Sequence, residues 1–140
     1  FAGLSEAVFY QNTCDPFPEN EQPYLGNSTV NINISNPSSP DNSKKVLVII
    51  TTQPLFDGFS FQSGNLKYRS RYVLLNAETN LSYNFNYMHP GNYYVNTIYD
   101  SNGDLNFSSG DYINSNFDRP LNLSEEGSAS VSVSIDFQIP

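Results

Sequence analysis

Ser128-Ala129-Ser130-Val131-Ser132-Val133-Ser134-Ile135-Asp136-Phe137-Gln138-Ile139 is the stretch that decides the fold class. Ala129, Val131, Val133, Ile135, Phe137 and Ile139 alternate with Ser130, Ser132, Ser134, Asp136 and Gln138. Successive side chains of a strand point to opposite faces, so this period of two puts the apolar set on one face and the polar set on the other. The same period recurs upstream. Thr29–Ser35 sets Val30, Ile32 and Ile34 against Asn31 and Asn33. Leu81–Met88 sets Leu81, Tyr83, Phe85 and Tyr87 against Ser82, Asn84 and Asn86. After the turn His89-Pro90-Gly91, Tyr93–Asp100 places Tyr93, Val95, Thr97 and Tyr99 together. Lys44–Thr52 differs: Val46–Ile50 is continuously apolar and β-branched, which reads as a central strand ended by Pro54. Leu66–Asn76 reads as a further strand region broken near Ser70, and Phe56–Gln62 as a short edge strand or packed loop around Asp57-Gly58. Ser101–Asn116 reads as a long polar loop. Helical periodicity of useful length is absent. The expectation is all-β: a single antiparallel sandwich of about seven strands, immunoglobulin- or prealbumin-like. It spans 29–140 and is preceded by an N-terminal extension or arm over 1–28, with a short strand at Ala7–Tyr10.

Composition agrees. The chain has 140 residues and a mass of 15.7 kDa, enough for one core without disulfide staples. Charged residues make up only 14%, and polarity comes instead from 19 Asn and 19 Ser. Ten Tyr and ten Phe are too many aromatics for a disordered chain. The net charge of −8 argues against nucleic acid and anionic membrane surfaces, both of which call for Lys and Arg. A cation is the more natural partner, although excess charge also serves solubility alone. The lone Cys14 permits no internal disulfide, and no run of about 18 apolar residues crosses a membrane. Scarce Cys and Lys beside abundant Asn, Ser and Tyr lean towards an extracytoplasmic setting: envelope, cell surface or secreted.

Two local motifs stand out. In Gly91-Asn92-Tyr93-Tyr94-Val95, Tyr93 reads either as a core aromatic or as a corner tyrosine whose hydroxyl bonds back to the preceding turn, with Gly91 allowing the bend. In Asp100-Ser-Asn-Gly-Asp-Leu-Asn-Phe-Ser-Ser-Gly-Asp111, oxygen-bearing side chains fall at loop positions 1, 3, 5 and 12, namely Asp100, Asn102, Asp104 and Asp111. Asn106 at position 7 offers a carbonyl and Ser108 at position 9 a hydroxyl. A hard cation such as Ca²⁺ takes six to eight oxygens in one small sphere, which this spacing supplies. The same residues also make an ordinary solvated turn. Leu105 stands where calcium loops of the EF-hand and dockerin type carry a Gly, and Asp111 is shorter than their closing Glu. Asp118 is a further candidate that spacing does not place.

Tyr83, Phe85, Pro90, Gly91, Tyr93, Val95, Asp100, Asn102, Gly103, Asp104, Gly110 and Asp111 resemble the signature of prealbumin-like (transthyretin-like, carboxypeptidase-regulatory-like) β-sandwich modules of bacterial envelope and surface proteins. That signature is an aromatic strand, a Pro-Pro-Gly turn, Tyr-x-Val and an Asp-x-Asn-Gly-Asp loop; His89 here replaces the first Pro. The resemblance implies an exported, non-catalytic module that often binds calcium.

Catalytic constellations are missing from the sequence. The single His89 sits in a turn, and there is no Gly-x-Ser-x-Gly elbow, phosphate loop or Cys/His pair. Exposed tyrosines stack on sugars, so Tyr68, Tyr72, Tyr87 and Tyr94 make a glycan- or protein-binding (lectin- or adhesin-like) domain the alternative to a calcium-binding module.

Overall fold

The computed structural model describes residues 28–58, 60–124 and 127–140. Ala7–Tyr10, Cys14 and the extension proposed for the N-terminus lie outside the described residues, apart from Ser28. The chain is mostly β, and its strands form two principal sheets packed face to face. The first sheet holds β1 (Ser28–Ser35) between β6 (Asn80–Met88) and β10 (Ser128–Ser134). The second runs β11 (Phe137–Gln138), β8 (Tyr112–Ile113), β7 (Gly91–Asp100), β2 (Lys45–Thr51) and β5 (Ser70–Asn76), with β9 (Arg119–Leu123) also paired to β7. A small hairpin of β3 (Phe56–Asp57) and β4 (Ser60–Phe61) pairs with neither sheet. Among the described residues the pairings are antiparallel except β1 with β10, which is parallel.

The alternating patterns map onto the sandwich interior. Val30, Ile32, Ile34, Phe85, Val131 and Val133 from the first sheet meet Val46, Val48, Ile50, Val73, Val95 and Tyr99 from the second. The continuous run in β2 has a separate cause. Its odd-numbered residues Leu47 and Ile49 face away from the sandwich, where Leu55, Phe56, Leu66, Tyr72, Ile98 and Ile113 form a second cluster. β2 is therefore covered on both faces, like a strand of a three-layer protein. The cover is the β3–β4 hairpin together with α1 (Ser63–Tyr68), six residues long, which buries Leu66.

Four features depart from the sequence reading. The region from Leu66 begins as the end of α1, and only Ser70–Asn76 is strand. The loop expected over 101–116 contains β8, and β9 follows it. Tyr87 is 62% exposed instead of joining Phe85 in the core. The β1–β6 register shifts between Ser28/Met88 and Val30/Phe85, leaving one extra residue on β6. Tyr87 has φ +59 at this bulge, and Met88 takes the buried place. Finally, the alternation ending at Ile139 is split. β10 stops at Ser134, Ile135 is buried, and the chain crosses to the other sheet as β11.

The corner reading of Tyr93 holds in its geometry: its hydroxyl donates to the carbonyl of His89 at 2.6 Å. Gly91 there has φ +151, a conformation L side chains rarely adopt. Burial pushes the Tyr93 hydroxyl pKa up, and the Arg71 charge offsets part of that.

Candidate functional site

β7 and β8 are hairpin partners, with Ile98 opposite Ile113 and Tyr99 opposite Tyr112. The next rung outward is occupied by Asp100, the last residue of β7, and by Asp111, the residue before β8. Both ends of the acidic loop are therefore fixed by the sheet. Asp100 is 1% exposed and Asp111 is fully buried, while Asp104 between them is exposed. One carboxylate oxygen from each of the three lies within 4.8 Å of one from the other two.

The loop folds around these carboxylates. Asp100 Oδ2 accepts the N–H of Leu105 at 2.9 Å. Asp104 Oδ1 accepts the N–H of Asn106 at 2.9 Å, and Asp104 Oδ2 accepts the Ser108 hydroxyl at 3.2 Å. Asp111 accepts Ser101 N–H on Oδ1 at 3.2 Å and Ser108 N–H on Oδ2 at 3.0 Å. The Asn102 side chain takes the Asp104 N–H on its oxygen and donates to Asp104 Oδ2. Asn106 donates its side-chain amide to the carbonyl of Asp104. The structure thus brings Asp100, Asp104 and Asp111 together with Ser108, and sets Asn102 and Asn106 to hold Asp104 in place.

One atom in this arrangement is left over. Oδ1 of Asp100 is buried and has no hydrogen-bond partner among the described residues. An unpaired buried carboxylate oxygen costs free energy unless a proton or a cation satisfies it. The electrostatics are consistent with crowding. Burial raises the Asp111 pKa above the ordinary aspartate value, and the charges of Asp100 and Asp104 raise it further. The N–H of Asn106 lowers that of exposed Asp104. Lys44, from the turn before β2, brings a positive side chain against the loop. A Cβ placed on Gly103 would come within 2.9 Å of its Nζ.

Leu105 replaces the expected glycine without abolishing the sharp bend. It adopts φ +58, the left-handed conformation, and Gly103 does so at φ +74. For a residue with a Cβ this costs roughly 1–2 kcal/mol. Leu105 sits in this geometry with its N–H on Asp100.

Asp118 does not belong to the cluster. Its Oδ1 accepts the N–H of Leu55 at 2.7 Å and the side-chain amide of Asn96 at 2.9 Å, and its Oδ2 accepts the N–H of Phe56 at 3.2 Å. It bolts the β3–β4 hairpin to β7. Of the four tyrosines named for sugar stacking, Tyr68 is 49% exposed and Tyr87 62%, Tyr94 is half-buried, and Tyr72 is buried in the second cluster.

Comparison with protein-family models, with curated proteins and with solved structures yields no match. Among the described residues no helix is long and apolar enough to cross a membrane.

Proposed function

We propose that this chain is a non-catalytic, exported β-sandwich module of the prealbumin-like kind whose Asp100–Asp111 loop binds Ca²⁺. The observation that carries the metal reading is the buried, unpartnered Oδ1 of Asp100 within a trio of carboxylates. Asp100 and Asp111 are held by the sheet, and Asp104 closes over them from the loop. Ser108 adds a neutral oxygen, and water completes the six to eight positions that calcium takes. Mg²⁺ demands a tighter octahedron and is expected to bind less well. The carboxylates already accept backbone N–H groups of their own loop, an arrangement that suits holding a cation better than moving protons.

Calorimetric titration of the full chain with CaCl₂ and MgCl₂ tests the reading. The expected Kd for calcium is on the order of 10⁻⁴ M, as in extracellular modules, with weaker Mg²⁺ binding and loss of binding in Asp104→Ala. No heat and no thermal shift at millimolar calcium would reject it.

A further inference from the structure

The acidic loop has a second side. Phe107, between Asn106 and Ser108, turns towards the second cluster and stacks on Phe61 with ring centroids 5.2 Å apart. It also meets Phe56 at 5.4 Å. Phe56 and Phe61 belong to strands β3 and β4, the cap over Leu47 and Ile49. The same loop holds the end of the chain. The Gly110 N–H donates to the carbonyl of Ile139 at 2.8 Å, and the Ile139 N–H donates to the carbonyl of Asp111 at 2.7 Å. Gln138 adds a side-chain bond to the carbonyl of Gly110. One twelve-residue segment therefore presents carboxylates inward, a phenylalanine to the cap and backbone groups to the C-terminal strand.

We infer that the loop is a cation-operated latch, in which ion binding at Asp100, Asp104 and Asp111 closes the β3–β4 cap through Phe107 and the β11 segment through Gly110 and Asp111. This rests on the calcium reading, whose independent support is the buried, unpartnered oxygen of Asp100. Asp104 and Asp111 cannot part without breaking bonds to Ser108, which ties the two together, and Phe107 is its direct neighbour. Opening of the loop therefore withdraws Phe107 from the stack on Phe61. An ion that binds only the closed loop lowers the population of every opening that breaks the site, by the factor 1 + [Ca²⁺]/Kd. The sandwich interior between β1, β6 and β10 lies outside this unit and opens by its own routes.

Amide hydrogen exchange followed by mass spectrometry on the full chain, in excess EGTA and in calcium at ten times the measured Kd, reads the latch. The expected result is about tenfold slower exchange in three places. These are the loop, the Leu55–Phe56 amides held by Asp118, and Ile139, with β1 and β10 unchanged. In Phe107→Ala the loop should keep its calcium-dependent slowing while the Leu55–Phe56 amides lose theirs. Phe107→Leu, which keeps apolar volume, should restore part of it. Slowing confined to the loop would overturn the latch and leave the calcium site standing. Cap slowing that survives in Phe107→Ala would overturn Phe107 as the link. No slowing anywhere, with no calorimetric binding, would remove both readings.

Discussion

Replacing Asp118 with alanine isolates the contribution of one side chain to the attachment of the cap. Its carboxylate accepts three bonds: from Leu55 N–H, Phe56 N–H and the Asn96 side chain. Leu55 is fully buried, Phe56 is 8% exposed and Asn96 is 1% exposed, so water does not readily replace the lost acceptor. At about 1 kcal/mol for each orphaned buried donor, the low end of the usual range, truncation costs about 3 kcal/mol. Asp118 also has φ +51, and alanine there adds about 1 kcal/mol of backbone strain. The expected total for Asp118→Ala is about 4 kcal/mol. Asp118→Gly removes the strain and should recover about 1 kcal/mol of it. Asp118→Asn keeps the Oδ1 acceptor and tolerates the left-handed backbone, so it should lose only about 1–1.5 kcal/mol. Equilibrium urea unfolding at pH 7, followed by tyrosine fluorescence and far-ultraviolet circular dichroism, measures the series. The order is expected to run wild type, Asn, Gly, Ala. A loss below about 1.5 kcal/mol for alanine, or equal losses for asparagine and alanine, would refute the view that the carboxylate bolts the cap.

Tyr93→Phe removes the hydroxyl bond to His89 while keeping the ring, and is expected to cost about 1 kcal/mol by urea unfolding; no change would mean that the corner bond adds nothing net. Ile49→Ala is expected to cost about 3 kcal/mol even though Ile49 faces away from the sandwich, and a loss under 1 kcal/mol would show that the cap is not a packed layer. Carboxyl NMR in EGTA should find Asp111 titrating above the usual aspartate range and Asp104 below it. A raised carboxyl pKa means that the folded state holds the proton more tightly. Asp111 therefore favours folding once protonated, and that contribution is lost as pH rises through its folded pKa. The depressed Asp104 works in the opposite direction: its contribution is present above the ordinary aspartate pKa and is lost as pH falls through its folded pKa. Calcium should bring the Asp111 midpoint down, and an unchanged midpoint would count against coordination by that carboxylate.

The strands with one wet face were legible because burial imposes a period of two on their side chains. β1 and β10 show this most plainly, with Val30, Ile32, Val131 and Val133 buried and Asn33, Ser130 and Ser132 exposed. Periodicity says which side chains share a face and nothing about which sheet the face belongs to. The crossing at Ile135 was for that reason invisible. The two residues of β8 are too short to show a period, and the six residues of α1 include Gly64 and Asn65, neither of which announces a helix. At the acidic loop, the carboxylates could be named because a hairpin returns Asp111 beside Asp100 within twelve residues. Lys44 and Asp118 could not be assigned, since their partners come from distant parts of the chain. Asp118 bonds backbone N–H groups more than sixty positions away, and a backbone group leaves no mark in a sequence.

The parallel pairing of β1 with β10 has a mechanical meaning. Seven successive pairs, Thr29↔Ser128 through Ser35↔Ser134, join the first and last long strands among the described residues side by side and pointing the same way. Tension that enters at Ser28 and leaves towards the C-terminus first strips the two-residue pairing of β11. It then pulls these strands past each other lengthwise. The ladder bonds share that load together, whereas an antiparallel pair pulled from one end would unzip bond by bond. Tension between Ser28 and the C-terminus therefore loads this seam in shear, where resistance is set by the rate of shearing and not by the free energy of folding.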